Sequence, residues 1–104
     1  MKAKTFKKAS DKEKVRELLK SDAPMVIRIY RESCPACQAS EKAWKEFCGE
    51  SRPYTAIAIE EVAIPEEMLK TIEAFPTYAK HDKNGNHHVV GVQKDLAKAL
   101  RLMD

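Results

Sequence analysis

The chain alternates short apolar runs with stretches of helical periodicity, and this pattern predicts an α/β fold. Met25–Tyr30 is apolar at all but one position, as expected for a strand that is covered on both faces. Tyr54–Ile59 has the alternating, partly β-branched character of a second strand. Between them, Ala36 to about Phe47 carries apolar residues at helical spacing. Because the crossover runs through a helix, the two strands should be parallel.

The N-terminal segment predicts a short strand or lead-in at Thr5-Phe6, followed by a helix. Ser10 and Glu13 have the spacing of a capping box, in which each side chain binds the other residue's backbone N–H. The apolar stripe of this helix ends near Lys20, shortly before a proline that disfavours further helix.

The C-terminal part predicts a helix, a β-hairpin and a last helix. Asn84-Gly85 is a strong signal for a two-residue turn, so the strands on either side of it should pair antiparallel. The elements predicted here are a helix over Pro65–Phe75, strands over Thr77–His81 and His87–Val92, and a helix over Gln93–Met103. The whole order predicts one domain over residues 1–104, with a mixed four- to five-stranded sheet and helices on both faces.

Composition narrows the classes of function. The 104 residues carry a net charge of +3, which is too weak and too evenly spread to indicate nucleic-acid or membrane binding. No apolar run approaches the about 18 residues of a membrane span, and the N-terminus lacks the apolar core of a secretion signal. Three cysteines argue against a disulfide framework, so we expect a reducing, cytoplasmic setting. Cys48 should be a buried core residue together with Trp44 and Phe47.

The candidate chemistry lies in Cys34-Pro35-Ala36-Cys37, between the first long strand and its helix. Two thiols three residues apart can close as a disulfide, and free N–H groups at a helix start favour a thiolate. Pro35 suits the first helical turn, where its missing N–H costs nothing. The N–H groups of Ala36 and Cys37 can both point at the Cys34 sulfur. The motif is therefore interpreted as a redox site with a stabilised thiolate.

Metal binding is an alternative use of these cysteines. One CxxC pair supplies two ligands, whereas a closed zinc site needs four. His81 and His88 should lie opposite one another across the hairpin with His87 adjacent, which would give only a weak transition-metal site. We therefore predict no metal ligand. An alternative that stays open is an iron–sulfur cluster bridged by the CxxC motifs of two chains.

The arrangement resembles the thioredoxin family. Cys34-Pro35-Ala36-Cys37 stands between strand and helix, Phe75-Pro76-Thr77 stands directly before the hairpin where the family places its cis-proline, and Gly91 lies in the last strand. The resemblance covers Met25–Met103 and implies the thioredoxin fold.

The resemblance also implies an activity and roles for particular residues. Cys34 would be the exposed nucleophile and Cys37 the buried resolving thiol, and the two would form a reversible disulfide. Pro76 would be cis and would face that disulfide, and the segment Phe75-Pro76-Thr77 would bind an extended protein substrate. Such an oxidoreductase is a monomer without a bound cofactor, and its electrons come from a thioredoxin-reductase-like or glutathione source.

The sequence departs from the thioredoxin pattern in three places. Ser33 replaces a tryptophan, Pro35-Ala36 replaces Gly-Pro, and Arg28 replaces a buried acid. Arg28 should pair with Glu60 or reach solvent, and its charge should favour the thiolates. These departures predict a more oxidising site than that of thioredoxin, and they leave open a glutaredoxin-like or protein-disulfide-isomerase-like activity or a non-catalytic binding module.

Overall fold

The computed structural model describes residues 1–102, which form a single mixed sheet with helices on both faces. Its elements are β1 (Ala3–Phe6), α1 (Lys12–Leu19), β2 (Met25–Tyr30), α2 (Pro35–Cys48), β3 (Thr55–Glu60), α3 (Glu66–Leu69), β4 (Thr77–Asp82), β5 (Gly85–Val90) and α4 (Leu96–Ala99). The strands lie in the order β1-β3-β2-β4-β5. β1 and β2 run parallel to β3, whereas β4 is antiparallel to both of its neighbours. The predicted mixed α/β sheet is confirmed, with five strands.

Alternate residues of the central strands supply two cores, one on each face of the sheet. The core beneath α2 and α4 contains Val26, Trp44, Phe47, Cys48, Tyr54, Ala56, Ala58, Tyr78, Leu96 and Leu100. The core beneath α1 and α3 contains Val15, Met25, Ile27, Ile29, Ile57, Ile59, Ala63 and Ile64. Both faces of β2 are therefore covered, which explains why its sequence is apolar almost throughout. The prediction that Trp44, Phe47 and Cys48 are core residues is confirmed.

The two faces of β3 differ in the size of their side chains. Ile57 and Ile59 point towards α1 and α3, whereas Ala56 and Ala58 point towards α2. β1 adds Ala3 opposite Ala56 and a threonine opposite Ala58. Small residues at this edge leave open space beneath α2, next to the cysteine motif.

The start of α1 differs from the prediction. A 3₁₀ helix, Ala9–Asp11, precedes α1, and Ser10 lies within it. The Asp11 carboxylate accepts the backbone N–H of Lys8 at 3.3 Å. The predicted capping box of Ser10 and Glu13 is therefore wrong, because the chain forms a 3₁₀ turn first and α1 begins one residue later, with Asp11 at its N-cap position and no side-chain cap hydrogen bond.

The third and last helices are shorter than predicted. α3 ends at Leu69, and the Thr71 hydroxyl then donates to the carbonyl of Met68 at 2.7 Å, which offers the backbone an alternative to further helix. α4 begins after Asp95, whose carboxylate accepts the N–H of Lys98 at 3.1 Å. It ends before Arg101, which has a positive φ of 55°. Met103 lies outside the described residues.

The hairpin turn is shifted by one residue. The loop residues are Lys83 and Asn84, and Gly85, with φ 109°, pairs with Asp82. The Asp82 carboxylate accepts the N–H of Asn84 at 2.9 Å, which stabilises the turn. The predicted Asn84-Gly85 loop is therefore wrong, although the hairpin itself is confirmed.

This shift changes the placement of the histidines. His81 pairs with Asn86, and His88 pairs with Ala79, so the predicted opposition of His81 and His88 is wrong. His81 also lies beside Met25, at the end of β2 remote from the cysteines. Across residues 1–102, no group of three or more His, Cys, Asp or Glu side chains could hold a metal ion. In the same span, no helix has both the length and the apolar character needed to cross a membrane.

Candidate active site

Cys34 is the N-cap residue of α2, and it follows the short loop that leaves β2. Its Sγ accepts the backbone N–H of Cys37 at 3.1 Å, one of the donors that a helix start leaves free. Cys34 is partly exposed, whereas Cys37 is 2% exposed within the first turn of the helix. Pro35 occupies the start of the helix, as predicted. The fold thus holds an accessible sulfur directly above a buried one.

The two thiols have opposite electrostatic environments. Hydrogen bonding from the Cys37 thiol lowers the pKa of Cys34, and the N–H groups of Cys37 and Ala36 and the charge of Arg31 act in the same direction. Burial raises the pKa of Cys37, and its hydrogen bond to Cys34 raises it further. Cys34 is therefore the thiol that ionises first, and Cys37 is held protonated beside it.

The Phe75-Pro76 peptide bond lies opposite Cys34 and is cis, as the resemblance implies. The Cys34 thiol donates to the carbonyl oxygen of Phe75 at 3.6 Å. Pro76 is buried, and its carbonyl accepts the N–H of Gly91 at 2.8 Å. Thr77 begins β4, and its hydroxyl donates to the carbonyl of Ala74 at 2.7 Å. The structure therefore brings Phe75 to the cysteines and uses the Thr77 side chain within its own loop.

Arg28 is the site residue whose environment differs most from the prediction. It is only 4% exposed, and its Nη2 donates to the carbonyl of Cys37 at 2.7 Å and to Oγ of Ser40 at 3.3 Å. The guanidinium also lies 5.0 Å from the ring centroid of Tyr30. The strand register explains the error, because it places Ala58 rather than Glu60 beside Arg28.

Arg28 is therefore buried with neutral partners only. Its Nε has no hydrogen-bond partner. Glu60 instead accepts the N–H of Val62 at 2.9 Å. The prediction that Arg28 pairs with Glu60 or reaches solvent is wrong: no carboxylate of residues 1–102 forms an ion pair with it. The site therefore contains a buried positive charge beneath Cys37.

Arg31 is a site residue that the sequence analysis missed. Its guanidinium lies 4.4 Å from the ring centroid of Phe75, and its Nη2 is 2.7 Å from Oε2 of Glu61. It links the loop before Cys34 to the segment that contains the cis bond. The sequence offered one signal for this role, a basic residue three positions before the nucleophile. The contact itself could not be predicted, because Arg31 and Phe75 are 44 positions apart in the chain.

Cys48 is separate from the reactive pair. It lies near the end of α2, is 8% exposed, and burial raises its pKa to about 11. A buried cysteine of this kind behaves as a small apolar residue. This placement confirms the prediction that Cys48 packs in the core.

Comparison with known proteins gives a structural likeness without a sequence match. No protein-family model matches the chain, and no curated protein is significantly similar to it in sequence. Thioredoxin f from spinach chloroplast has 19% identity and a TM-score of 0.76, over 96% of this chain and 91% of its own. The Malassezia sympodialis thioredoxin has 13% identity and a TM-score of 0.75, over 94% and 86%. Reduced Schistosoma mansoni thioredoxin pre-protein has 19% identity and a TM-score of 0.69, over 89% of each chain.

These structures show that the chain has the thioredoxin fold, which confirms the fold that the resemblance implied. The spacing of Cys34 and Cys37 at the start of α2 is consistent with a thioredoxin-like family. At these identities the likeness concerns the fold, so the activity has to be argued from the site itself.

Proposed function

We propose that this protein is a thiol–disulfide oxidoreductase that exchanges disulfides with protein substrates through Cys34 and Cys37. One observation carries the proposal: the sulfur of the partly exposed Cys34 accepts the N–H of the buried Cys37 at 3.1 Å. This contact stabilises a thiolate on the accessible residue and keeps the second thiol within the same helical turn. A non-catalytic binding module would require neither cysteine.

The reaction consists of two exchanges. The Cys34 thiolate attacks one sulfur of a substrate disulfide, which forms a mixed disulfide and releases the other substrate sulfur as a thiolate. Cys37 then loses its proton and attacks the Cys34 sulfur, which releases the second substrate thiolate. The substrate gains two electrons and two protons, and the protein is left with a Cys34–Cys37 disulfide. A thioredoxin-reductase-like or glutathione source restores the dithiol, and no bound cofactor takes part.

The segment Phe75-Pro76-Thr77 is proposed to line the substrate site. A substrate sulfur that approaches Cys34 must pass close to the Phe75 carbonyl, which already lies 3.6 Å from the Cys34 sulfur. The Thr77 hydroxyl is engaged with Ala74, so this residue would contribute through its backbone. We propose a monomer that acts in the cytoplasm, although similar structures include a chloroplast thioredoxin.

A glutaredoxin-like or protein-disulfide-isomerase-like reaction, running on glutathione or in the oxidising direction, is the second candidate. The observation that favours it is the set of groups that lower the pKa of Cys34, headed by hydrogen bonding from Cys37 and including the N–H of Ala36. A more stable thiolate means a more stable reduced form, and hence a more oxidising couple. The equilibrium potential in a glutathione buffer distinguishes the two directions.

Reduction of insulin disulfides by the full chain, with dithiothreitol as reductant, tests the proposed activity. We expect turnover by the wild type and by Cys48→Ser, and no turnover by Cys34→Ser. Cys37→Ser should trap a mixed disulfide with substrate, because the resolving thiol is missing, whereas Cys34→Ser should trap none. Absence of turnover, or turnover unchanged in Cys34→Ser, would refute the proposal.

A further inference from the structure

A cavity of about 650 Å³ lies between α2 and the edge of the sheet that β1 and β3 form. It exists because the side chains that face α2 there are small: Ala3 and Thr5 on β1 and Ala58 on β3. Its volume falls within the range of about 300–1,000 Å³ that is typical of small-molecule sites. The space is therefore large enough for an organic ligand rather than for single water molecules.

Arg28 forms part of the wall of this cavity, and no carboxylate of residues 1–102 forms an ion pair with it. The side chain is 4% exposed, its Nε has no hydrogen-bond partner, and its Nη2 binds only the Cys37 carbonyl and the Ser40 hydroxyl. A buried guanidinium without an anion is unfavourable. Its planar set of N–H donors matches a carboxylate group. The cavity therefore favours an anionic occupant.

The other charged residues of the wall already have partners. Lys7 lies 3.7 Å from Glu32, Lys45 lies 3.1 Å from Glu41, and Arg31 lies 2.7 Å from Glu61. Among the described residues, Arg28 is then the one cation of the wall without an ion pair, and a single negative charge would pair with it. Trp44, Tyr30 and Ala58 also line the cavity and offer apolar surface beside that charge. The wall thus suits a molecule with one anionic group and an apolar body.

We propose that this cavity binds a small organic monocarboxylate, with its carboxylate group against Arg28 and its apolar part against Trp44. The binding itself does not depend on the function proposed above. The effect of binding on catalysis does rest on that function, because a bound negative charge beside Cys37 would oppose ionisation of that thiol and slow the second exchange step.

Trp44 is the only tryptophan of the chain and lines the cavity, so its fluorescence reports directly on occupancy. We would titrate the full reduced chain with butyrate, and in parallel with butyramide, inorganic phosphate and sodium chloride at equal ionic strength. The expected result is a saturable change with butyrate, a weaker one with phosphate, and none with butyramide or chloride. Absence of a saturable change with butyrate, an equal response to butyramide, or tighter binding of phosphate than of butyrate would each overturn the proposal.

Three variants locate the site. Arg28→Met should weaken butyrate binding about tenfold, as expected for loss of one charge-assisted hydrogen bond. Lys42→Gln removes one exposed charge from the same helix outside the cavity and should leave binding unchanged. Thr5→Leu fills part of the cavity from an exposed edge position and should weaken binding without touching Arg28, so the test stands even if Arg28→Met fails to fold. Butyrate binding that is unaltered in Thr5→Leu would contradict the assigned location.

Discussion

Within residues 1–102, two buried cations lie on the same face of the sheet, and one of them, Lys80, has an anionic partner whereas the other, Arg28, has none. Lys80 on β4 is 5% exposed, and its Nζ lies 2.9 Å from Oδ1 of Asp82, whose other oxygen accepts the Tyr54 hydroxyl at 2.7 Å. Arg28 on β2 is equally buried but binds only neutral groups around Cys37. The difference indicates that Lys80 serves the fold, whereas the charge of Arg28 is available to the thiols and to a ligand.

The largest expected effect is a difference in the free energy of unfolding between variants of the two cations. Lys80→Met should lower the free energy of unfolding by about 3 kcal/mol, because it leaves the buried Asp82 without its cation. Arg28→Met should change it by no more than about 1 kcal/mol, because no buried acid is left unpaired. Urea unfolding followed by circular dichroism measures both, with the exposed Lys42→Met as control. Equal losses for the two variants would break the comparison.

The pH dependence of stability sharpens the account of the Lys80 region. The hydrogen bonds from Lys80 and Tyr54 lower the pKa of Asp82 to about 2, from about 3.9 in an unfolded chain. The folded state therefore binds this proton less readily, so the stabilisation is present above about pH 3.9 and is lost as pH falls through about 2. Other carboxylates titrate in the same range, so the measurement is the difference between wild type and Asp82→Asn in urea unfolding across this range. Parallel pH profiles would contradict the pairing.

The redox potential tests the Arg28 region. We expect the Cys34–Cys37 couple to lie above the thioredoxin value of about −270 mV, because the reduced form is stabilised. Arg28→Met should make it more reducing by about 20 mV, since the buried positive charge that lowers the pKa of Cys37 is lost. Lys80→Met should leave the potential unchanged. Equilibration in glutathione buffers gives all three values, and an equal shift in both variants would show that Arg28 has no special access to the thiols.

The smallest expected effect concerns Arg31, which acts on Cys34 from an exposed position. Arg31→Gln should raise the pKa of Cys34, because the positive charge that favours its thiolate is removed. The pH profile of alkylation by iodoacetamide, in a Cys48→Ser background, reports this pKa. Lys42→Gln removes an exposed positive charge from α2, is the matched control, and should leave the profile in place. A profile that moves as far in Lys42→Gln would mean that net charge alone is responsible.

The sequence predicted the parts of this protein that depend on neighbours along the chain. The apolar run of β2, the start of α2 at the cysteine motif and the N–H groups that face Cys34 all follow from positions within a few residues of one another. The cis bond before Pro76 came from a resemblance in local sequence as well. Where local signals compete, prediction was less successful: a 3₁₀ turn closed by Asp11 takes the place of the cap predicted at Ser10, and the hairpin turn that Asp82 stabilises is shifted by one residue.

What only the tertiary structure decided lies between residues that are distant in sequence. The chain by itself determined an α/β order and a pair of thiols at a helix start, because helix geometry brings residues three positions apart together. It did not determine that Arg28 would lie beside Ala58 instead of Glu60, since that depends on strand register. The contact of Arg31 with Phe75 and the cavity beneath α2 likewise require the loops and small edge residues to meet in space. The charge environment of the two thiols is therefore a property of the assembled sheet.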